Sequence, residues 1–179
     1  MSLNSICDIP PFSKHGHLNV IVETPRGSRN KYQFDEDLKM FSLGGVLTAG
    51  HSFPYDFGFI PNTLGGDGDP LDVLVMMEEP TFPGCLVRCR LIGGIKAEQG
   101  KDDDLERNDR LIAVSAKSPG YDEIDSLHGL GDKVVEQIEH FFISYNIAKG
   151  KTFRPLARLD ASEAAAIVKA GAKELANNT

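Results

Sequence analysis

Hydrophobic residues in the first two thirds of the chain fall in short runs that alternate with polar ones or close into compact, β-branched stretches. Such runs at Asn19–Glu23, Lys31–Phe34, Asp56–Ile60, Leu71–Met76, Leu86–Ile95 and Arg110–Ser115 predict strands. Turn clusters separate them: Pro25-Arg26-Gly27-Ser28, Gly44-Gly45, Gly65-Gly66-Asp67-Gly68 and Pro83-Gly84. That spacing suits a small barrel better than βαβ units. A helical period enters only late. Val135, Ile138, Phe142 and Tyr145 recur at three- and four-residue steps after Asp132, which predicts a helix capped by that Asp. Asp160-Ala-Ser-Glu163 has the form of a capping box and predicts a second helix through Ile167, Val168 and Leu175. The pattern as a whole reads as an α+β fold, a small closed OB-like β-barrel flanked by two helices in the C-terminal half. No linker or repeat divides residues 1–179, so one domain is expected.

Composition narrows the function. With 19 Lys+Arg against 26 Asp+Glu the formal charge is −7, which disfavours broad electrostatic binding of nucleic acid. An anionic substrate would need metal ions or clustered cations. No basic leader followed by an apolar run opens the sequence and no stretch is long and apolar enough for a membrane span, so a cytoplasmic protein without membrane contact is expected. Three cysteines, Cys7, Cys85 and Cys89, are an odd number and fit a reducing compartment. Cys85 and Cys89 alternate with Arg88 and Arg90 in strand fashion and read as core packing rather than metal ligands.

The segment richest in chemistry is Gly66-Asp67-Gly68-Asp69-Pro70-Leu71-Asp72, three carboxylates on a turn that feeds an apolar strand. Like charges held that close in a half-dry site raise one another's pKa unless a cation neutralises them. All-oxygen donors select a hard cation, Mg²⁺ or Mn²⁺, with Ca²⁺ as a rival. An EF-hand loop fails here, because Leu71 takes its fifth place and Asp72 the place that requires Gly.

Asp67, Asp69, Pro70 and Asp72 match the Asp-x-Asp-Pro-x-Asp hallmark of the family I soluble inorganic pyrophosphatases, which the chain resembles over most of its length. The resemblance extends through Val20–Pro25, Lys31-Tyr32, Pro54–Pro61, Pro83–Arg90, Arg110–Val114 and His140-Phe141-Phe142 with Tyr145. It implies a cytoplasmic homohexamer that hydrolyses pyrophosphate with several Mg²⁺ ions. By the same resemblance Asp67 and Asp72 hold metal, Glu23 is an outer ligand, and Asp69 takes the proton of the attacking water. Lys31, Arg110 and Tyr145 neutralise phosphate oxygens and the charge developing on the leaving group.

Departures from the family pattern cluster in the same expected pocket. Gln33 stands where an acid is usual, Gly45 where a phosphate-binding Arg is, Phe57 where Tyr is, and Asn146 where a Lys follows the Tyr. Gln99 and Asn108 align with two further Asp ligands, and Arg110 with a Lys. Compensation could come from Asp102, Asp103, Asp104, Glu106 or Asp109 as metal ligands, and from Arg26 or Arg29 as phosphate contacts; His51 is a further candidate ligand. Two readings stand beside pyrophosphate hydrolysis: a non-catalytic metal- and phosphate-binding relative, and a hydrolase of an organic phosphoanhydride on the same scaffold.

Overall fold

The structure, a computed structural model, describes residues 6–102 and 104–178. After a 3-10 turn at Ile6–Asp8 come β1 (Leu18–Thr24), β2 (Asn30–Asp35), β3 (Met40–Val46), β4 (Asp56–Phe59), β5 (Asp72–Met76), β6 (Leu86–Lys101), β7 (Asp104–Arg107) and β8 (Arg110–Ser115). A second 3-10 turn (Pro119–Tyr121) leads to helices α1 (Leu127–Leu130) and α2 (Asp132–Ile147), then β9 (Thr152–Leu159) and helix α3 (Ala161–Asn178).

Strands β1, β4, β5, β8 and β6 neighbour one another in that order, and β6 returns to pair with β1, with Leu18 opposite Cys89. The ring is therefore closed, as the sequence pattern predicts, and no strand edge is left open within it. Its pairings are antiparallel except for β5 with β8, which run parallel with Val73 opposite Leu111. The sixteen-residue β6 outgrows the ring, and its second half carries β9 and β7. Strands β2 and β3 form a separate hairpin.

Alternation along the ring strands sends successive residues to opposite faces. One buried set, including Leu18, Val20, Val22, Val73, Val75, Val87, Cys89, Leu111 and Ala113, fills the ring and packs with Ala164 and Val168 of α3. The other, including Phe57, Leu74, Met76, Ile92, Ile112 and Val114, lies outside under Val135, Ile138 and Phe142 of α2. Cys89 is thus a core residue, and burial pushes its thiol pKa up, away from thiolate chemistry. Helix α3 begins as expected: the amide of Glu163 donates to Asp160 at 2.8 Å and the amide of Asp160 donates to Glu163 at 2.9 Å.

Several expectations need correcting. Asp132 is the first residue of α2 rather than its cap. Gly131 precedes it with no side-chain hydrogen bond, and the capping Ser126 instead accepts from Gly129 at the start of α1. The charged stretch from Lys101 to Arg110 is an exposed hairpin over its first part, where Asp104–Arg107 pairs with the end of β6, and becomes a buried strand only from Arg110. Strand β9 escaped the pattern because Pro155 interrupts it; that proline lies at a register shift against β6, a place where a strand tolerates proline. Strand β3 escaped because its residues are largely exposed and include Gly44 and Gly45.

Close backbone approach makes Gly58 obligatory, since a Cβ there would lie 2.0 Å from the Ile21 carbonyl oxygen across the β1–β4 pairing. Gly58→Ala is expected to lower unfolding free energy by at least about 3 kcal/mol, and Asp160→Ala by about 1 kcal/mol. Denaturant titration of the two variants checks both, and equal losses would refute the close-approach reading.

Candidate functional site

A cavity of about 450 Å³ opens between the β2–β3 hairpin, the start of β5 and the end of α2. All the site residues expected from the sequence line it: Glu23, Lys31, Asp67, Asp69, Asp72, Arg110 and Tyr145. They arrive from β1, β2, the turn before β5, β5 itself, β8 and α2, so only the folded barrel assembles them.

Gly68, at φ +86°, reverses the chain between Asp67 and Asp69, a conformation an L side chain rarely adopts. The Asp69 amide donates to Asp67 at 3.3 Å, and the Asn108 side-chain amide donates to the other Asp67 oxygen at 2.7 Å. Asp72 is the first residue of β5, and the parallel register places Arg110 of β8 beside it. The Arg110 guanidinium lies 2.6 Å from the Asp72 carboxylate. It also donates to Gln99 at 2.9 Å and to the side-chain oxygen of Asn108. The rings of Phe142 and Phe153 lie 5.0 and 5.5 Å from its central carbon. Arg110 is 4% exposed, and its Nε has no partner among the described residues.

Burial raises the pKa of Glu23 to about 7, more than the hydrogen bond from the Phe34 amide at 2.8 Å lowers it, and the Asp72 charge adds to the rise. Asp72 is likewise raised by desolvation, against the pull of Arg110 and Lys31. Asp69 is raised by desolvation and by Asp67. Three carboxylates held above their ordinary range on one cavity wall form a patch whose strain a hard divalent cation bound beside them would relieve. Among the described residues no three acidic, His or Cys side chains already converge on a single ion position. Asp72 is turned to Arg110 and Asp67 to Asn108.

The departures from the family pattern have physical counterparts. Gln99 and Asn108 supply neutral amide oxygens to Arg110. Asn146 is 1% exposed and its side-chain amide donates to the Phe142 carbonyl at 2.9 Å. Phe57 packs on Phe53 and Phe142 at ring separations of 5.2 and 6.2 Å and gives the cavity an apolar wall. Gly45 lies opposite Lys31 with an ordinary φ and nothing within 4 Å of a would-be Cβ. Among the described residues, none of those expected from the sequence to compensate lines the cavity. Asp102, Asp104 and Glu106 are exposed on the β6–β7 hairpin, Asp109 accepts from the Ala97 amide and pairs with Arg107, and Asp103 lies outside the described residues. Arg26 donates to the carbonyls of Met77 and Glu78, and Arg29 to that of Leu47. His51 is half-buried away from the lining, its Nδ1 without a partner among the described residues.

Sequence reasoning missed Phe53, Lys149 and Lys151, which also line the cavity. The four-residue step from Tyr145 to Lys149 is the signal that could have found that lysine.

A closed five-strand barrel carries carboxylates and cations facing one another across one cavity, and comparison places it in a class of small barrel enzymes. A model of the inorganic pyrophosphatase family matches residues 20–176, and the chain belongs to that family. It is 45% identical over 145 residues to an inorganic pyrophosphatase of Synechocystis sp., covering 80% of this chain and 83% of the relative. With one of Nostoc sp. it shares 41% over 160 residues, 89% and 92% of the two chains. The crystal structure of inorganic pyrophosphatase from Thermus thermophilus superposes with a TM-score of 0.87 at 32% identity, over 96% of this chain and 99% of that one.

Two outcomes follow from the site's electrostatics. Glu23 binds its proton more tightly in the folded chain than in the unfolded one. The resulting stabilisation is full below the unfolded value near 4.5 and is lost as pH rises to about 7. In metal-free buffer the melting temperature of the parent should therefore fall across that window more steeply than that of Glu23→Gln; parallel curves would refute the burial reading. Arg110→Met leaves Asp72 without its partner and should cost on the order of 3 kcal/mol, largely recovered in the double variant with Asp72→Asn. Equal stability of the two variants by denaturant titration would show that the pair contributes no coupling.

Proposed function

We propose that this chain hydrolyses inorganic pyrophosphate to two phosphates in the cytoplasm, with Mg²⁺, or Mn²⁺ in its place, and as a homo-oligomer, a hexamer by resemblance. The observation that carries this reading is the meeting of Asp67, Asp69, Asp72 and Glu23 with Lys31 and Tyr145 on one cavity of a chain in the inorganic pyrophosphatase family. The cytoplasmic reading is supported by the odd cysteine count; among the described residues no helix is long and apolar enough to cross a membrane.

Asp67, Asp72 and Glu23 are the residues that would hold divalent cation. Bound there, such an ion lowers the pKa of water and screens the negative charge of the phosphates. Asp69 is the proton acceptor. It precedes Pro70, which biases it to an extended conformation, it is exposed to the cavity, and its raised pKa makes it a better base than an ordinary aspartate. As the water oxygen bonds to one phosphorus, its proton passes to Asp69. The bridging P–O bond breaks with its electron pair going to the departing phosphate. Lys31 and the Tyr145 hydroxyl meet the charge on the phosphate oxygens. Arg110, engaged by Asp72, acts on the anion through its charge and through the position it gives that carboxylate.

Asp69→Asn should keep metal-induced thermal stabilisation and lose about 10²–10⁴-fold in turnover. Asp72→Asn should lose both together. Phosphate release at saturating Mg²⁺ and melting curves with and without metal check this; near-parent turnover in Asp69→Asn would overturn the assignment.

A Cβ at Gly45, which is paired with the cavity-lining Lys31, would meet nothing within 4 Å, and this room bears on a second reading, hydrolysis of a larger phosphoanhydride. Gly45→Arg adds a cation opposite Lys31 without steric conflict. It should tighten pyrophosphate binding by about tenfold. Loss of turnover on a nucleoside triphosphate with turnover on pyrophosphate kept would mark Gly45 as the opening for the larger substrate.

A further inference from the structure

Among the described residues, four cationic side chains line the cavity: Lys31, Arg110, Lys149 and Lys151. Arg110 is engaged by Asp72, Gln99 and Asn108. Lys31 stands at the acidic end, where its charge acts on Glu23, Asp69 and Asp72. The opposite end, beside Tyr145, lies at the C-terminus of α2, where the helix dipole presents partial negative charge and repels an anion. Asn146 offers that end no cation, and its side-chain amide is spent on the Phe142 carbonyl.

The chain after α2 is folded to correct this. The amides of Lys149 and Lys151 both donate to the Asn146 carbonyl, each at 2.9 Å, and Gly150 between them takes φ +66°. That turn brings both lysines back over the end of the helix. The Lys149 ammonium donates to the Tyr145 hydroxyl at 2.5 Å and sits 4.3 Å from the centre of its ring. It forms no ion pair with a carboxylate among the described residues. An ammonium has three donors, so two remain, and a hydroxyl that accepts from it still has its own hydrogen to give. The pair is a two-donor clamp for tetrahedral oxyanion oxygens, and the aromatic face beneath Lys149 holds the charge in place.

We propose that Lys149, bonded to Tyr145 and backed by Lys151, is the substrate-binding cation at this end of the cavity, gripping the phosphate farther from Lys31. The assignment rests on the phosphoanhydride reading above and adds to it a residue displaced one helical turn from Tyr145.

The test titrates methylenediphosphonate, a non-hydrolysable diphosphonate, into the Mg²⁺-loaded full chain by calorimetry, alongside pyrophosphate kinetics. Lys149→Ala should bind about 10- to 100-fold more weakly and raise KM by a similar factor, with an unchanged melting temperature. Lys149→Arg should recover most of the affinity, and Lys151→Ala should lose no more than about fivefold. A folded Lys149→Ala that binds within about twofold of the parent overturns the assignment while leaving hydrolysis standing. Lys149-dependent binding by a parent that releases no phosphate from pyrophosphate upholds the assignment and overturns the hydrolytic reading. A parent that neither binds the diphosphonate nor releases phosphate from pyrophosphate overturns both, and one that hydrolyses pyrophosphate with a KM unchanged in Lys149→Ala overturns the assignment alone.

Discussion

The pairing of Asp72 with Arg110 is the interaction around which the molecule is arranged. Parallel strands β5 and β8 bring the two residues side by side at the mouth of the barrel. A guanidinium in that position is held through its two terminal nitrogens: Asp72 pairs with it and the side-chain oxygens of Gln99 and Asn108 accept its hydrogens, while the rings of Phe142 and Phe153 cover it. Phe142 belongs to α2 and Phe153 to β9, so one buried cation ties the barrel to its outer helix and to the strand that follows. Desolvating such a pair is costly unless hydrogen bonds complete it. The neutral oxygens of Gln99 and Asn108 complete it without adding negative charge to a wall that already carries Asp67, Asp69 and Asp72.

The cavity is consequently divided by charge. Acids raised above their usual pKa gather on the side of β1 and the Asp67–Asp72 turn, with Lys31 among them. Aromatic rings and the lysines after α2 form the other side. A divalent cation suits the first half by donor chemistry and a phosphate the second by hydrogen-bond donors, so the two would meet between Asp69 and Tyr145.

Strands of the ring were legible because each carries a strict period of two or a compact β-branched run bounded by turn residues, as Arg110–Ser115 shows to the residue. The acidic turn was legible because its chemistry is local in sequence. What stayed hidden depends on distance. Pro155 conceals β9 until the register shift against β6 is known, and the burial of Arg110 shows only once Phe142 and Phe153 are brought against it. Arg26 and Arg29 read as phosphate contacts until their carbonyl partners are seen, and Lys149 hides behind a turn whose geometry only the Asn146 carbonyl defines.

Ring closure by β1 against β6, with Leu18 opposite Cys89, joins segments far apart in the chain, and the parallel β5–β8 pair spans the whole of β6 and β7. Non-local pairings of this kind form after local hairpins, because the entropy of the long loops must be overcome first. Mutual repulsion among Glu23, Asp69 and Asp72 thus enters late on the route to the native state, at the step that completes the barrel. A cation that relieves it acts mainly on the escape from the finished structure, lengthening the lifetime of the native fold more than it hastens its formation.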